Sequence, residues 1–135
     1  MKKSVIILIG IIYIASIVFI SFFGMKMVLY NETVYVEKVE CINDDLKENS
    51  SGEKYIILNY EDGLVYQIRW RVYPDNASNK EVEFVYDKQN KMAEINSFGA
   101  VIFKPMTRTN TLSVQIRSTD GTNRSIKLKI IVLVN

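Results

Sequence analysis

The 135-residue chain carries 17 Lys and Arg against 15 Asp and Glu, with a single cysteine and no histidine. That count excludes Cys/His zinc sites, Ser-His-Asp triads, Cys-His pairs and any internal disulfide. No run of Lys and Arg rises above its surroundings, so a phosphate-neutralising groove for nucleic acid has no support.

From Ser4 to Met25, the run SVIILIGIIYIASIVFISFFGM holds no charged side chain. Twenty-two helical residues at about 1.5 Å each reach about 33 Å, enough for the roughly 30 Å hydrocarbon layer of a bilayer. Residues 4–25 are therefore predicted to be one transmembrane helix, with 1–3 a cytoplasmic tip and 26–33 a short tether. A cleaved signal peptide is the alternative, but its apolar core runs about 7 to 15 residues and ends in small residues. Here Phe22, Phe23 and Met25 stand at the end, which favours a retained signal anchor. The only cysteine, Cys41 in KVEC, lies well beyond the apolar run and lacks the small neighbours that lipidation requires. Lys2, Lys3 and the amino terminus precede the span and Lys26 alone follows it closely, so the positive-inside rule places the N-terminus in the cytoplasm and residues 34–135 outside. Setting those three lysines aside leaves 14 Lys and Arg against 15 Asp and Glu, so charge names no partner.

Beyond the span, ETVYVEKVECI is rich in β-branched and aromatic residues. Val34 and Val36, then Val39 and Cys41, share parity across a one-residue offset, as a bulged first strand would. NDDLKENSSGEK reads as a polar loop without periodicity. KYIILNY reads as a strand closed by Glu61-Asp62-Gly63. LVYQIRWRVY alternates, with Tyr66, Ile68, Trp70 and Val72 on one side and Gln67, Arg69 and Arg71 on the other, the pattern of one half-buried strand. The loop around Pro74 and Asp75 suits a turn. Alternation resumes at Val82, Phe84 and Tyr86, and MAEIN is a minimal strand with Ala93 and Ile95 inward. Asn96-Ser97-Phe98-Gly99 turns into AVIFK. TLSVQIRS alternates through Leu112, Val114 and Ile116, Asp120-Gly121 is a hairpin signal, and SIKLKIIVLV sets Ile126, Leu128 and Ile130 against Lys127 and Lys129. About seven or eight short strands with turn residues between them predict an all-β domain, a two-sheet β-sandwich over 34–135.

The residues from Leu58 to Val132 resemble the bacterial immunoglobulin-like domain, group 2. The resemblance rests on Pro74, Asp75, Asn76, Ala77, Asn79, Lys80, Ala93, Ile95, Gly99, Val101, Asp120 and Gly121. The chain departs where it has Phe84 in place of a tryptophan and where PMTRTNTL lacks a glycine. The likeness implies an immunoglobulin-like sandwich, with residues 74–80 a connection between strands, Ala77 tucked under it and Asn79 bonding backbone groups.

Calcium at Asp75 and Asn76 is the sharper alternative, but calcium takes about six to eight oxygens and the loop offers few. Asn43-Asp44-Asp45 with Glu48 reads as a solvated loop, and Cys41 as a small buried hydrophobe. N-x-S/T sequons stand at Asn31, Asn49, Asn76 and Asn123. No catalytic, cofactor or metal residues are expected. The candidate interaction surface is Tyr60, Arg69, Arg71, Tyr73, Lys127 and Lys129: the cations as a basic stripe, the tyrosines as stacking platforms. The expected function is non-enzymatic. One reading is a single-pass membrane module contacting another membrane or surface protein. The other is an adhesin that binds cell-wall polymer or host-surface carbohydrate.

Overall fold

The computed structural model describes residues 2–30 and 32–135, and side chains outside 24–30. Met1 and the sequon residue Asn31 lie outside the described residues. The chain divides into two compact units, residues 1–33 and 34–135.

The first unit is one helix, α1 (Lys3–Tyr30). Residues Lys3–Phe23 are long and apolar enough to cross a membrane, a description that an anchor and a signal sequence both meet. Ser16, a polar residue in this run, donates its hydroxyl to Ile12 O at 2.8 Å, so it carries no unmet hydrogen bond into an apolar surrounding. The helix continues five residues past Met25, into the segment assigned above to the tether. No proline or glycine occurs from Met25 to Tyr30, and Met, Lys and Leu favour helix.

The second unit is built from strands: β1 (Lys38–Cys41), β2 (Lys47–Glu48), β3 (Lys54–Asn59), β4 (Val65–Gln67), β5 (Trp70–Tyr73), β6 (Val82–Tyr86), β7 (Ala93–Ile95), β8 (Ala100–Phe103), β9 (Asn110–Ser118) and β10 (Ser125–Leu133). They form a five-stranded sheet ordered β2-β3-β10-β9-β6, a three-stranded sheet β4-β8-β7 and a pair β1-β5. All pairings are antiparallel except β3 with β10, which run parallel. Strands of all three sheets close on one core of Val36, Val39, Ile56, Ile68, Val72, Val101, Phe103, Leu112, Val114, Ile116, Leu128, Ile130 and Val132. The alternation that marks β9 and β10 in sequence is their inward face: Leu112, Val114 and Ile116 lie opposite Ile130, Leu128 and Ile126 in register.

Two expectations need correction. The polar stretch 43–54 is not structureless. Lys47 and Glu48 pair with Tyr55 and Lys54, and the return is tied by Gly52 N–H to Asn49 O at 3.0 Å. Both residues of β2 are exposed, so no apolar period marks it. The run LVYQIRWRVY is two strands in two sheets, because β4 pairs with β8 and β5 with β1. The offset near the start of the domain is real. Val36 and Val39 are both buried, and Glu37 donates to Tyr73 O at 2.8 Å beside the Lys38–Tyr73 pair, so two residues face one.

Gly99 closes the β7–β8 hairpin at φ +79°, where an added Cβ would lie 2.7 Å from the Trp70 ring and 3.0 Å from Ile68 O. Asp120, in the β9–β10 connection, accepts from Val36 N at 2.6 Å, from Thr122 N and Oγ1, and from Ser118 Oγ, tying the start of the domain to the hairpin. These donors, the Thr122 hydroxyl foremost and then Val36 N–H, hold the Asp120 carboxyl down at about 2. Its stabilising effect is therefore complete above about pH 5, where an unfolded aspartate is ionised, declines below that, and is lost as pH falls through about 2.

Two outcomes follow. Gly99→Ala lowers stability by at least about 2 kcal/mol in denaturant melts, from the left-handed backbone and the contact with Ile68 O and Trp70. Asp120→Asn melts below wild type at pH 7, and the gap in Tm narrows steadily between pH 5 and pH 2. A gap independent of pH would contradict the Asp120 assignment.

Candidate interaction surfaces

The structure splits the six candidate surface residues into three places. Arg69, Arg71 and Tyr73 share one side of the chain at β5, because Trp70 and Val72 between them turn to the core. Lys127 and Lys129 stand on β10 in the five-stranded sheet, and the basic stripe joining them to the arginines does not form within one sheet. Tyr60 follows β3, packs against the core edge and donates its hydroxyl to Asp62 at 3.1 Å; burial, with Asp62 beside it, raises its pKa.

On the β1–β5 pair every cation has an anion. Arg69 meets Asp44 at 2.6 Å, Arg71 meets Asp75 at 2.9 Å, and Lys38 meets Glu40. Hydrogen bonding to Asp44 and to Asp75 raises the two guanidinium pKa values, while Lys38 lowers that of Glu40. The Arg71 guanidinium also lies 5.1 Å from the Tyr73 ring centre, and Lys38 Nζ lies 5.9 Å from it. Tyr73 is thus flanked by the chain's own cations. These pairs are exposed and solvent-screened, so they define a neutral face rather than a source of stability.

The loop after β5 crosses from the β1–β5 pair to β6 at the edge of the five-stranded sheet. Ala77 is buried and donates its N–H to Pro74 O at 3.0 Å. Ser78 and Val34 exchange two bonds, and Asn79 accepts from Glu81 N at 2.9 Å. Asp75 is engaged by Arg71. Among the described residues no three His, Cys, Asp or Glu side chains gather as a metal site would require.

Asn43, which sequence assigned to a solvated loop, is instead a bonding centre. Its Oδ1 accepts from Arg69 N at 2.7 Å and from Cys41 Sγ at 3.3 Å, and its Nδ2 donates to Gln67 O at 2.8 Å and to the Tyr66 hydroxyl at 2.9 Å. The Tyr66 hydroxyl donates to Asp45 Oδ1 at 2.5 Å. Cys41 is buried, and burial raises its pKa, so its thiolate is disfavoured. Glu40, Glu53, Glu94 and Asp120 all shift downward, and among the described residues Ser118 is the buried polar side chain. These carboxylates are ionised acceptors.

Sequence reasoning passed over a third face. On the β4–β8–β7 sheet Val65 and Ile102 lie directly opposite each other and are 57% and 48% exposed. Phe98, at the β7–β8 turn, is 77% exposed, and its carbonyl accepts from Gln67 Nε2 at 2.7 Å. Phe98 and Ser97 line a cavity of about 540 Å³ with Trp70, Lys80, Glu81 and Val82. The signal was present in the alternation, since Val65 and Ile102 stand at polar-side positions. Each looks like an isolated exception until the register pairs them.

The chain matches no protein-family model and no curated protein sequence.

The Cys41 thiol, buried and held against Asn43, is expected to react with iodoacetamide at least about a hundredfold more slowly in the folded chain than in urea. Equal rates in the two states would place Cys41 on the surface.

Proposed function

We propose that the chain is a non-enzymatic, single-pass membrane protein, its N-terminus cytoplasmic, displaying an immunoglobulin-like β-sandwich outside the cell that acts by contact with another membrane or surface protein. The apolar helix supports the anchor, and the lysines before it support the orientation. The sheets around a shared core, with the parallel β3–β10 pair beside antiparallel neighbours, support the immunoglobulin-like reading.

The observation that carries the contact reading is the pairing of Val65 with Ile102 on the sheet whose β7–β8 turn exposes Phe98. Large apolar side chains facing solvent together are the feature that distinguishes a contact surface from an ordinary exposed strand. The two tyrosines proposed as sugar platforms fit a stacking role less well. Tyr73 is flanked by Arg71 and Lys38, and Tyr60 packs at the core edge.

Mild cross-linking of intact cells, detergent extraction and pull-down through a C-terminal tag should recover a stoichiometric companion with the wild-type chain. Replacing Val65, Phe98 and Ile102 by serine should lower that recovery about tenfold or more, the loss expected when apolar anchors worth one to two kcal/mol are removed. The triple variant should fold, because none of the three side chains is buried. Recovery of the wild-type chain alone, or undiminished recovery with the variant, would count against the reading. Orientation has its own measurement. Asn135→Cys should be labelled by a membrane-impermeant maleimide in intact cells, and labelling only after lysis would reverse the topology.

A further inference from the structure

We propose that a groove on the five-stranded sheet binds an anionic, hydroxyl-rich polymer, with Lys127 and Lys129 as its charged contacts. The groove has a volume of about 670 Å³, and its lining includes three lysines, Lys54, Lys127 and Lys129, against one carboxylate, Glu53. Glu53 is bound to Lys129 at 2.8 Å, and Lys54 leans to Glu48 at 3.3 Å. Lys127 has no ion pair among the described residues and is exposed. An anion entering the groove therefore meets one uncommitted ammonium at once, and a second where it displaces Glu53.

The uncharged part of the lining points to the rest of the ligand. Ser113, Gln115 and Ser125 supply hydroxyl and amide groups, with Gln115 Nε2 donating to Ser125 Oγ at 2.7 Å, and Val85 sits opposite Gln115 in register as an exposed apolar contact. The lining holds no aromatic ring. The lining itself offers no platform for base or sugar stacking, although the partly exposed Tyr55 stands opposite Lys129 in register. What remains is charge together with hydrogen bonding along an open sheet face, the recognition suited to a polymer whose units carry hydroxyls and either carboxylates or phosphodiesters. Lys127 and Lys129 are two residues apart on one strand, about 6.8 Å, so both address the same run of polymer.

The groove belongs to a different sheet from Val65, Ile102 and Phe98, so either assignment stands or falls without the other. The full chain in non-ionic detergent micelles is titrated calorimetrically with polygalacturonate, with poly(glycerol phosphate) and with neutral dextran. At least one polyanion should bind and dextran should not. The polymer that binds separates carboxylate from phosphodiester recognition. Lys127→Glu should weaken that binding about tenfold, and Lys127→Gln by a smaller factor, since the first adds repulsion to the loss of a cation. Lys88→Glu makes the same change in net charge in the connection after β6, outside the groove lining, and should leave the affinity unchanged. Three results would overturn the assignment: no binding by either polyanion, equal binding of dextran, or a loss with Lys88→Glu as large as with Lys127→Glu.

Discussion

The strand-built unit depends on how the chain passes from one sheet to another at Ile68 and Arg69. A strand that changes partners leaves backbone groups between two ladders, and buried groups of that kind are costly when unpaired. Here each finds a partner. Gln67 O accepts from Asn43 Nδ2, Ile68 N donates to Gly99 O at 2.9 Å, Ile68 O accepts from Gln67 Nε2, Arg69 N donates to Asn43 Oδ1, and Arg69 O accepts from Ile42 N. Two side chains, the Gly99 carbonyl and the Ile42 amide thus complete the hydrogen bonding of the crossing. Ile68 itself is fully buried, so the crossing point is also a centre of the core.

That crossing organises the surfaces. Before it, Val65 and Gln67 face outward on the three-stranded sheet, where β8 adds Ile102 and the turn adds Phe98. After it, the outward residues are Arg69, Arg71 and Tyr73, flanked by the charge pairs of β1 and the neighbouring loops. One run of ten residues therefore supplies an apolar face and a charge-neutralised face. Asn43 and Gly99 cannot be exchanged freely, because one satisfies donors and acceptors together while the other permits Trp70 and the turn to come within contact of Ile68.

Much of the strand content was legible because burial on one face imposes period two, as at Leu112, Val114, Ile116, Leu128 and Ile130. The same regularity concealed the crossing. Tyr66, Ile68, Trp70 and Val72 keep inward parity straight through it, so alternation carries no trace of the change of partner. Strand β2 was hidden for the opposite reason: neither of its residues is buried, so it leaves no pattern. Pairing across the chain is also absent from local pattern. Lys127 and Lys129 face outward as expected, but their sheet is not that of Arg69 and Arg71. Asn43 and Asp120 resemble ordinary loop residues until the groups they bond, distant in sequence, come together. The apolar face at Val65 and Ile102 needed the register before two isolated exceptions became one surface.

Amide hydrogen exchange at residues 67–70, read by NMR on the full chain in micelles, tests the account most directly. If one run serves two sheets, the Ile68 and Arg69 amides are protected to the level of β9 and β10. Asn43→Ala should then release Arg69 selectively, since its acceptor is a side chain, while the amides of β9 and β10 keep their protection. Rapid exchange at Arg69 in the wild-type chain, or uniform loss of protection across the domain in Asn43→Ala, would contradict it.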